Sequence, residues 1–198
     1  MAEDPTDAAF WDKRYEAHRM PWDFHGVPGD LKRFLAAQSS TRGRVLIPGC
    51  GSGYEVTAFA KAGWDVIAID FSAAAVVRAR DVVGPALADR IVLGDFFAHP
   101  FAPASFDAIY ERTFLCALPP ARWPEIATRL ATLLKPGGLL FGFYLFAGKE
   151  DGPPFGLKPD ETTALFDGPF TLVADEAVAD SLPLFQGAER WQVRQRVG

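Results

Sequence analysis

Two features of the amino-acid sequence have the types and spacing to do chemistry together. The stretch RVLIPGCGSGYEVTAFAKAGWDVIAID, residues 44–70, carries Gly49, Gly51 and Gly53 after one hydrophobic run and Asp70 at the end of the next. Glycines let the backbone turn tightly and let a ligand approach the main chain, and a helix that begins there points N–H groups at that ligand. A carboxylate accepts hydrogen bonds from two neighbouring hydroxyl groups at once. The pair predicts a ligand that carries a ribose.

The elements around these residues alternate between strand and helix. Short hydrophobic runs predict strands over 44–48, 64–70, 90–95, 105–111, 139–146, 170–178 and 188–197. Helical spacing of apolar residues predicts helices over 54–63, 73–83, 122–135 and 161–166. Ser72 is a predicted N-cap of the second of these helices, and Gly84 is its predicted end.

This alternation is typical of an α/β fold with a doubly wound, seven-stranded sheet. The first five strands should be parallel, and the last two should form an antiparallel hairpin at one edge because their connection is too short for a crossover helix. A length of 198 residues predicts one domain over 1–198, with a core over 44–198. Residues 1–43 should form an N-terminal helical cover across the carboxyl ends of the strands, where such sheets bind ligands.

Composition and sequence patterns argue against nucleic acid, a metal ion and a membrane as partners of this chain. The net charge is −5, and lysine and arginine are scattered singly, which argues against nucleic acid as a partner. Two cysteines without metal-ligand spacing predict neither a disulfide framework nor a metal site. The stretch MAEDPTDAAF lacks the features of a signal peptide, and no apolar run has the roughly 20 residues of a membrane span. We therefore expect a cytoplasmic protein, monomeric because no apolar stripe indicates an interface.

The glycine spacing leaves more than one ligand open. A dinucleotide site has the pattern G-x-G-x-x-G, whereas this turn reads G-x-G-x-G and continues with the bulky Tyr54. A site for S-adenosylmethionine and a nicotinamide site of an NAD(P)-dependent oxidoreductase are both compatible with the glycines and Asp70. A cofactor-binding module without catalysis is a third reading. A structural turn that binds nothing is the simplest alternative.

Several motifs along the chain resemble those of Rossmann-like, S-adenosylmethionine-dependent methyltransferases. They are IPGCGSGYEV…AIDFS, GDFF (94–97), FDAIYER (106–112) and LLKPGGLL (133–140). Three further motifs narrow the resemblance to the thiopurine S-methyltransferase-like group, and within it to the halide/thiol methyltransferase branch. These are FWDKRYEAHRMPWD (10–23), CALPP (116–120) and GPPF (152–155).

The resemblance implies a set of cofactor contacts. Gly49 and Gly51 would lie against the methionine portion of S-adenosylmethionine, whose demethylated product is S-adenosylhomocysteine. Asp70 would hold the ribose. Asp95 would accept a hydrogen bond from the adenine amino group, with Phe96 beside the adenine ring.

The resemblance also implies an aromatic cover and a residue that positions the acceptor. Trp11, Tyr15 and Trp22 would cover the site, and Arg112 would touch both cofactor and acceptor. Tyr15 departs from the halide/thiol branch, which has tryptophan there, and Arg112 matches the thiopurine branch instead. The acceptor therefore stays open among thiols, thiopurines, halides or thiocyanate, and chalcogen oxyanions.

Methyl transfer to such an acceptor needs little machinery. A soft anion meets a sulfonium cation, so exclusion of water and alignment of the reacting atoms should suffice, and a general base is optional. Trp11, Trp22, Phe114 and Phe155 are candidates for a dry aromatic pocket. His25 is the one histidine to consider as a proton acceptor, while Cys50 and Cys116 are expected to be packing residues.

Overall fold

The computed structural model describes residues 4–37, 43–149, 151–185 and 187–198 and contains one seven-stranded sheet in its described part. Its strands are β1 (Arg44–Pro48), β2 (Asp65–Asp70), β3 (Ile91–Leu93), β4 (Phe106–Arg112), β5 (Leu134–Leu145), β6 (Phe170–Ala177) and β7 (Glu189–Arg196). The helices are α1 (Ala8–Glu16), α2 (Gly29–Ala37), α3 (Tyr54–Lys61), α4 (Ala73–Val83), α5 (Trp123–Leu133) and α6 (Pro159–Phe166). The ends of the predicted cover at 1–3 and 38–42 lie outside the described residues.

The strand order is β3-β2-β1-β4-β5-β7-β6. The first five strands pair in parallel, and β7 is antiparallel to both β5 and β6. The predicted α/β, doubly wound fold is confirmed. The winding reverses between β1 and β4, so their carboxyl ends open a crevice in which ligands of such sheets bind.

Helices cover both faces of the sheet, and their apolar sides form its two cores. Leucine and valine side chains of α2, α3 and α4 pack on one face, and those of α5 and α6 pack on the other. The predicted caps of α4 are confirmed, because Ser72 Oγ accepts from the Ala75 N–H at 3.1 Å and Gly84 ends the helix at φ +75°.

Two details differ from the sequence predictions, and a third agrees with them. Strand β5 begins at Leu134, five residues before the predicted start at 139. The Pro136–Gly138 stretch does not interrupt the strand, because it forms a bulge opposite the step from Phe106 to Ala108 of β4. The predicted antiparallel hairpin at one edge is confirmed, with β6 as the outermost strand and β7 paired between β6 and β5. Helix α2 packs on a face of the sheet through Leu31 and Leu35, so only α1 lies at the carboxyl ends.

Among the described residues, no helix combines the length and apolar character that a membrane span requires.

Candidate functional site

A cleft of about 770 Å³ opens at the carboxyl ends of β1, β2 and β4. All nine residues predicted to form the site line it, namely Trp11, Tyr15, Trp22, Gly49, Gly51, Asp70, Asp95, Phe96 and Arg112. Aromatic side chains supply much of its wall, among them Phe10, Phe24, Phe71, Phe97, Phe114 and Phe185. The structure therefore brings the predicted residues together, while the ligand atoms that each would contact stay predictions.

The glycine turn after β1 tolerates no side chain at any of its three glycines. Gly49, Gly51 and Gly53 have φ of +56°, +53° and +72°, a region that residues other than glycine rarely enter. A Cβ atom at Gly49 would lie 2.6 Å from Phe114 Cδ2, and one at Gly51 would lie 2.7 Å from Tyr15 Oη. A Cβ atom at Gly53 would lie 3.0 Å from Ala79 Cβ. Neighbouring side chains therefore leave no space for a Cβ atom at any of the three positions.

Asp70 ends β2 beside this turn, buried to 8% exposure. One of its oxygens accepts from the Gly51 N–H at 3.0 Å, and the other accepts from the Ser72 N–H at 3.0 Å. Each oxygen keeps a second lone pair. Burial raises the pKa of the Asp70 carboxyl to about 6, against the opposing effect of these two N–H groups. The carboxylate is fixed in position and still able to accept further hydrogen bonds.

Asp95 and Phe96 lie where β3 ends, in the same wall of the cleft. The Asp95 side chain is exposed and accepts from the Phe97 N–H at 2.8 Å. The Phe96 ring is buried and meets the Phe114 ring edge to face, with centroids 5.1 Å apart. A flat ligand in this part of the cleft would contact aromatic carbon and one carboxylate.

Residues 4–27, which we call the cover segment, bring three aromatic side chains over the cleft. The Trp11 and Trp22 rings meet edge to face with centroids 5.3 Å apart, and the Tyr15 and Trp22 centroids are 6.1 Å apart. Trp22 also packs against a cluster of Cys116, Leu145 and Phe185 on the opposite side of the cleft. The predicted grouping of the three residues is present, and Trp22 is its centre.

The residue after each tryptophan anchors the cover segment, which the sequence analysis did not predict. Asp12 Oδ1 accepts from Ser72 Oγ at 2.6 Å and from the Ala74 N–H at 3.0 Å, at the start of α4. Asp23 Oδ2 accepts from Ser52 Oγ at 2.6 Å and lies 3.4 Å from Arg78 Nη2. The dipeptide Trp-Asp alone does not indicate these contacts, because in Trp64-Asp65 the aspartate pairs instead with surface arginines.

Arg112, the last residue of β4, places a nearly buried positive charge in the cleft. Its side chain is 9% exposed, and its Nη1 lies 3.5 Å from Glu55 Oε1. The guanidinium lies 4.8 Å from the Phe24 ring centroid and 5.2 Å from that of Phe143. Its Nε has no hydrogen-bond partner among the described residues. This site suits an anion, because the cation retains donor capacity in surroundings of low polarity.

Glu111 holds the turn that follows Arg112. Its Oε1 accepts from the N–H groups of Phe114 and Leu115 at 3.0 and 2.9 Å. Thr113, which lies between Arg112 and Phe114, adopts φ +59°. That conformation is unfavourable for a β-branched residue, so the two hydrogen bonds must stabilise the turn. Burial raises the pKa of the Glu111 carboxyl to about 7. Its Oε2 has no hydrogen-bond partner among the described residues, and Glu111 does not line the cleft, so we take Glu111 as a structural carboxyl.

Glu111→Gln should therefore change the pH dependence of stability. The native carboxyl holds its proton up to about pH 7, whereas the ordinary pKa of a glutamate is 4.5, so wild-type stability should fall as pH rises through that window. Glutamine keeps an accepting oxygen and removes the buried charge. We expect the variant to gain stability over wild type with rising pH, by at most about 3 kcal/mol above pH 7.

Urea unfolding at several pH values from 5.5 to 8.5 measures this difference. The matched control is Glu16→Gln, which removes the charge of an exposed carboxylate on α1. Its stability difference from wild type should stay constant across the range. A Glu111→Gln difference that is equally constant would show that Glu111 is ionised throughout.

Of the other candidates from the sequence, Phe155 and His25 do not line the cleft, and the two cysteines have the role predicted for them. Phe155 is 8% exposed within the core that α5 covers and does not line the cleft, so its placement in the aromatic pocket was wrong. His25 is exposed and outside the cleft wall. Cys50 and Cys116 line the cleft, and burial raises the pKa of both thiols well above the usual range. Both thiols are therefore neutral packing groups, as predicted.

Within residues 4–37, 43–149, 151–185 and 187–198, no group of three or more histidine, cysteine, aspartate or glutamate side chains is arranged to hold a metal ion.

Comparison with known families gives a match over nearly the whole chain. The sequence model of the thiopurine S-methyltransferase family matches residues 6–196. A probable thiol methyltransferase 2 of Arabidopsis thaliana is 35% identical over 76% of this chain and 68% of its own length. Thiocyanate methyltransferase 1 of the same plant is 31% identical over 92% of this chain and 83% of its own length.

Comparison with solved structures gives the same fold. The 1,6-didemethyltoxoflavin-N1-methyltransferase of Burkholderia thailandensis, solved with 1,6-didemethyltoxoflavin and S-adenosylhomocysteine, superposes with a TM-score of 0.76. The two chains are 17% identical, and the match covers 96% of this chain and 87% of that one.

Proposed function

The chain belongs to the thiopurine S-methyltransferase family, and on that premise we propose that its cleft transfers a methyl group from S-adenosylmethionine to a small thiol or thiol-like anion. Membership makes the chain an S-adenosylmethionine-dependent methyltransferase with thiol-type acceptors. It also decides against the nicotinamide-dependent oxidoreductase that the glycines and Asp70 left open.

The described residues fit the cofactor. The glycine turn leaves main chain without side chains beside Asp70, whose oxygens keep lone pairs for a diol. Asp95 supplies a carboxylate and the Phe96 ring an aromatic surface for the adenine ring of the cofactor. In this proposal Gly49 and Gly51 lie along the methionine portion, Asp70 binds the ribose, and Asp95 binds the adenine amino group.

The chain's own groups would then act by orientation and exclusion of water. When bound, S-adenosylmethionine supplies an electrophilic methyl group on a sulfonium cation. Trp11, Tyr15 and Trp22 keep solvent from this end of the cleft, which favours a reaction in which opposite charges disappear. The aromatic wall and the cover segment also restrict the directions from which an acceptor can approach, and alignment of the reacting atoms contributes to such catalysis.

Arg112 is the observation that carries the choice of an anionic acceptor. Its guanidinium is buried between two aromatic rings and lacks a partner at Nε within the described chain. The ion pair between its Nη1 and Glu55 Oε1 spans 3.5 Å, which is longer than a typical charge-assisted hydrogen bond, so the guanidinium can still bind an anion. A thiolate, or a thiopurine in its anionic form, offers both the charge and the polarisable surface that this place favours.

A screen of acceptors tests the proposal. Formation of S-adenosylhomocysteine is followed with an aryl thiol, a thiopurine, thiocyanate, iodide and bromide, each with wild type and with Arg112→Lys. We expect the aryl thiol or the thiopurine to give the highest kcat/KM, and the lysine variant to raise KM because a point charge replaces the planar guanidinium. Binding of S-adenosylhomocysteine without turnover of any acceptor would favour the module without catalysis.

We also infer that the enzyme works as a monomer in the cytoplasm. No apolar stripe in the sequence indicates a subunit interface, which supports the monomer, and the two free cysteines support a reducing compartment. Size-exclusion chromatography with light scattering measures the molar mass at micromolar concentration, with and without S-adenosylhomocysteine, and so tests whether the protein is a monomer.

A further inference from the structure

The cover segment is attached to the core by a repeated arrangement. In each of its two Trp-Asp dipeptides the tryptophan lines the cleft, and the aspartate that follows accepts a hydrogen bond from a serine of the core. Asp12 reaches Ser72 and Asp23 reaches Ser52, both at 2.6 Å. Each anchor therefore fixes the tryptophan that precedes it.

Both serines belong to the two short turns that hold Asp70. Ser72 donates its N–H to Asp70 and its hydroxyl to Asp12. Gly51 donates its N–H to Asp70, and the next residue, Ser52, donates its hydroxyl to Asp23. The predicted ribose ligand and the two anchors of the cover thus share the same pieces of backbone.

An arginine of α4 reinforces the Asp23 anchor. Arg78 of α4 donates from Nε to Ser52 Oγ at 2.7 Å and from Nη2 to the Tyr54 hydroxyl at 3.2 Å. Its Nη2 also lies 3.4 Å from Asp23 Oδ2, an ion pair whose carboxylate side chain is 4% exposed. Charge-assisted hydrogen bonds with a buried acceptor are among the stronger ones in proteins, so this anchor should be well occupied.

We propose that Asp12 and Asp23 are positioning residues that couple closure of the cover segment to cofactor binding at Asp70. The proposal rests on the proposed function, because it takes Asp70 as the cofactor's ligand. Each anchor restricts a turn that presents an N–H to Asp70, so closing the cover prepares the carboxylate for the cofactor. By reciprocity, a cofactor held at Asp70 favours the closed cover to the same degree.

Asp12→Ala and Asp23→Ala test the coupling, with Glu16→Ala as the matched control. Glu16 is an exposed carboxylate of the same cover segment, outside the cleft wall. Calorimetry measures binding of S-adenosylhomocysteine, and hydrogen exchange followed by mass spectrometry measures protection of residues 8–27 without ligand. We expect each test variant to weaken binding about tenfold or more and to exchange faster over 8–27, while Glu16→Ala matches wild type in both.

Two further variants separate positioning from general loss of structure. Asp12→Asn keeps an oxygen at the position that accepts both hydrogen bonds of this anchor, so it should restore most of the affinity and protection that alanine removes. In a double-mutant cycle, Asp23→Ala and Ser52→Ala should be strongly non-additive, because either change removes the same hydrogen bond.

The outcomes distinguish this inference from the proposed function. If Asp12→Ala and Asp23→Ala bind S-adenosylhomocysteine and protect residues 8–27 as Glu16→Ala does, the coupling is overturned while the enzyme class stands. If wild type itself fails to bind S-adenosylhomocysteine, the proposed function fails and the coupling fails with it. Faster exchange in both variants with unchanged affinity would leave the anchors real and overturn the coupling.

Discussion

Asp70→Ala is expected to weaken binding of S-adenosylhomocysteine roughly 5- to 150-fold. The range corresponds to about 1–3 kcal/mol, the effect of removing one partner of a buried, charge-assisted hydrogen bond. The high end is favoured here, because alanine also leaves the N–H groups of Gly51 and Ser72 without their acceptor. Both N–H groups belong to turns that shape the cleft.

The same carboxylate should make cofactor binding depend on pH. Burial raises the pKa of Asp70 to about 6, and only the ionised form accepts hydrogen bonds with both oxygens. Wild-type affinity for S-adenosylhomocysteine should therefore fall as pH drops through 6, and Asp70→Asn should bind weakly without that dependence. Calorimetry at pH 5.5, 6.5 and 7.5 measures both trends.

Asp65→Ala is the control on the same strand. Asp65 lies at the other end of β2, where it pairs with arginines at the surface, so its removal should leave affinity at the wild-type value. If Asp70→Ala binds as tightly as Asp65→Ala does, Asp70 is not the ribose ligand, and the glycine turn must hold the cofactor with other groups.

Local chain geometry explains why this half of the site could be predicted from the sequence. The three glycines, strand β2 and Asp70 lie within one 27-residue stretch, 44–70, and each consecutive element constrains the next. Parallel strands of a doubly wound sheet place their carboxyl ends together. The order of elements alone therefore brought Gly49, Gly51 and Asp70 to one edge, and in the structure Gly51 donates its N–H to Asp70.

The rest of the site depends on contacts between distant parts of the chain. The contacts of Asp12 and Asp23 are to residues 60 and 29 positions away, and no local pattern encodes such partners. Phe155 follows two prolines that line the cleft, yet its N–H donates to the Cys116 carbonyl and its ring enters the core. The direction of the backbone after the two prolines therefore determines that the Phe155 ring lies in the core and not in the cleft.

Helix α2 shows the same limit at the level of the fold. Its Phe34 ring lies 4.2 Å from that of Phe141 and 5.7 Å from that of Trp191, measured between centroids. Those partners belong to β5 and β7, which come more than a hundred residues later. The sequence predicted only a helical cover over 1–43, because the assembled sheet determines which surface buries the apolar side of an amphipathic helix.

Trp22→Ala is expected to reduce kcat/KM for the best acceptor about a hundredfold with little loss of thermal stability. Trp22 joins the cover segment to the wall of the cleft, because it packs against Tyr15 and Trp11 of the cover and also against Cys116 and Phe185. Its loss would admit water and free the acceptor to approach in unproductive directions, and misplacement by about 1 Å can have an effect of this size. Trp22→Phe should retain much of the activity, since it keeps an aromatic surface there.

Trp64→Ala provides the opposite case. Trp64 packs against Phe59 with ring centroids 6.1 Å apart, in the core on the other side of α3 and away from the cleft wall. Its removal should lower the melting temperature and leave the specific activity of the folded enzyme unchanged. Steady-state kinetics and thermal unfolding of both variants should therefore separate cleanly, with activity lost in one and stability lost in the other. A Trp22→Ala enzyme that melts early yet turns over normally would place Trp22 in the core and leave the cleft without its central cover residue.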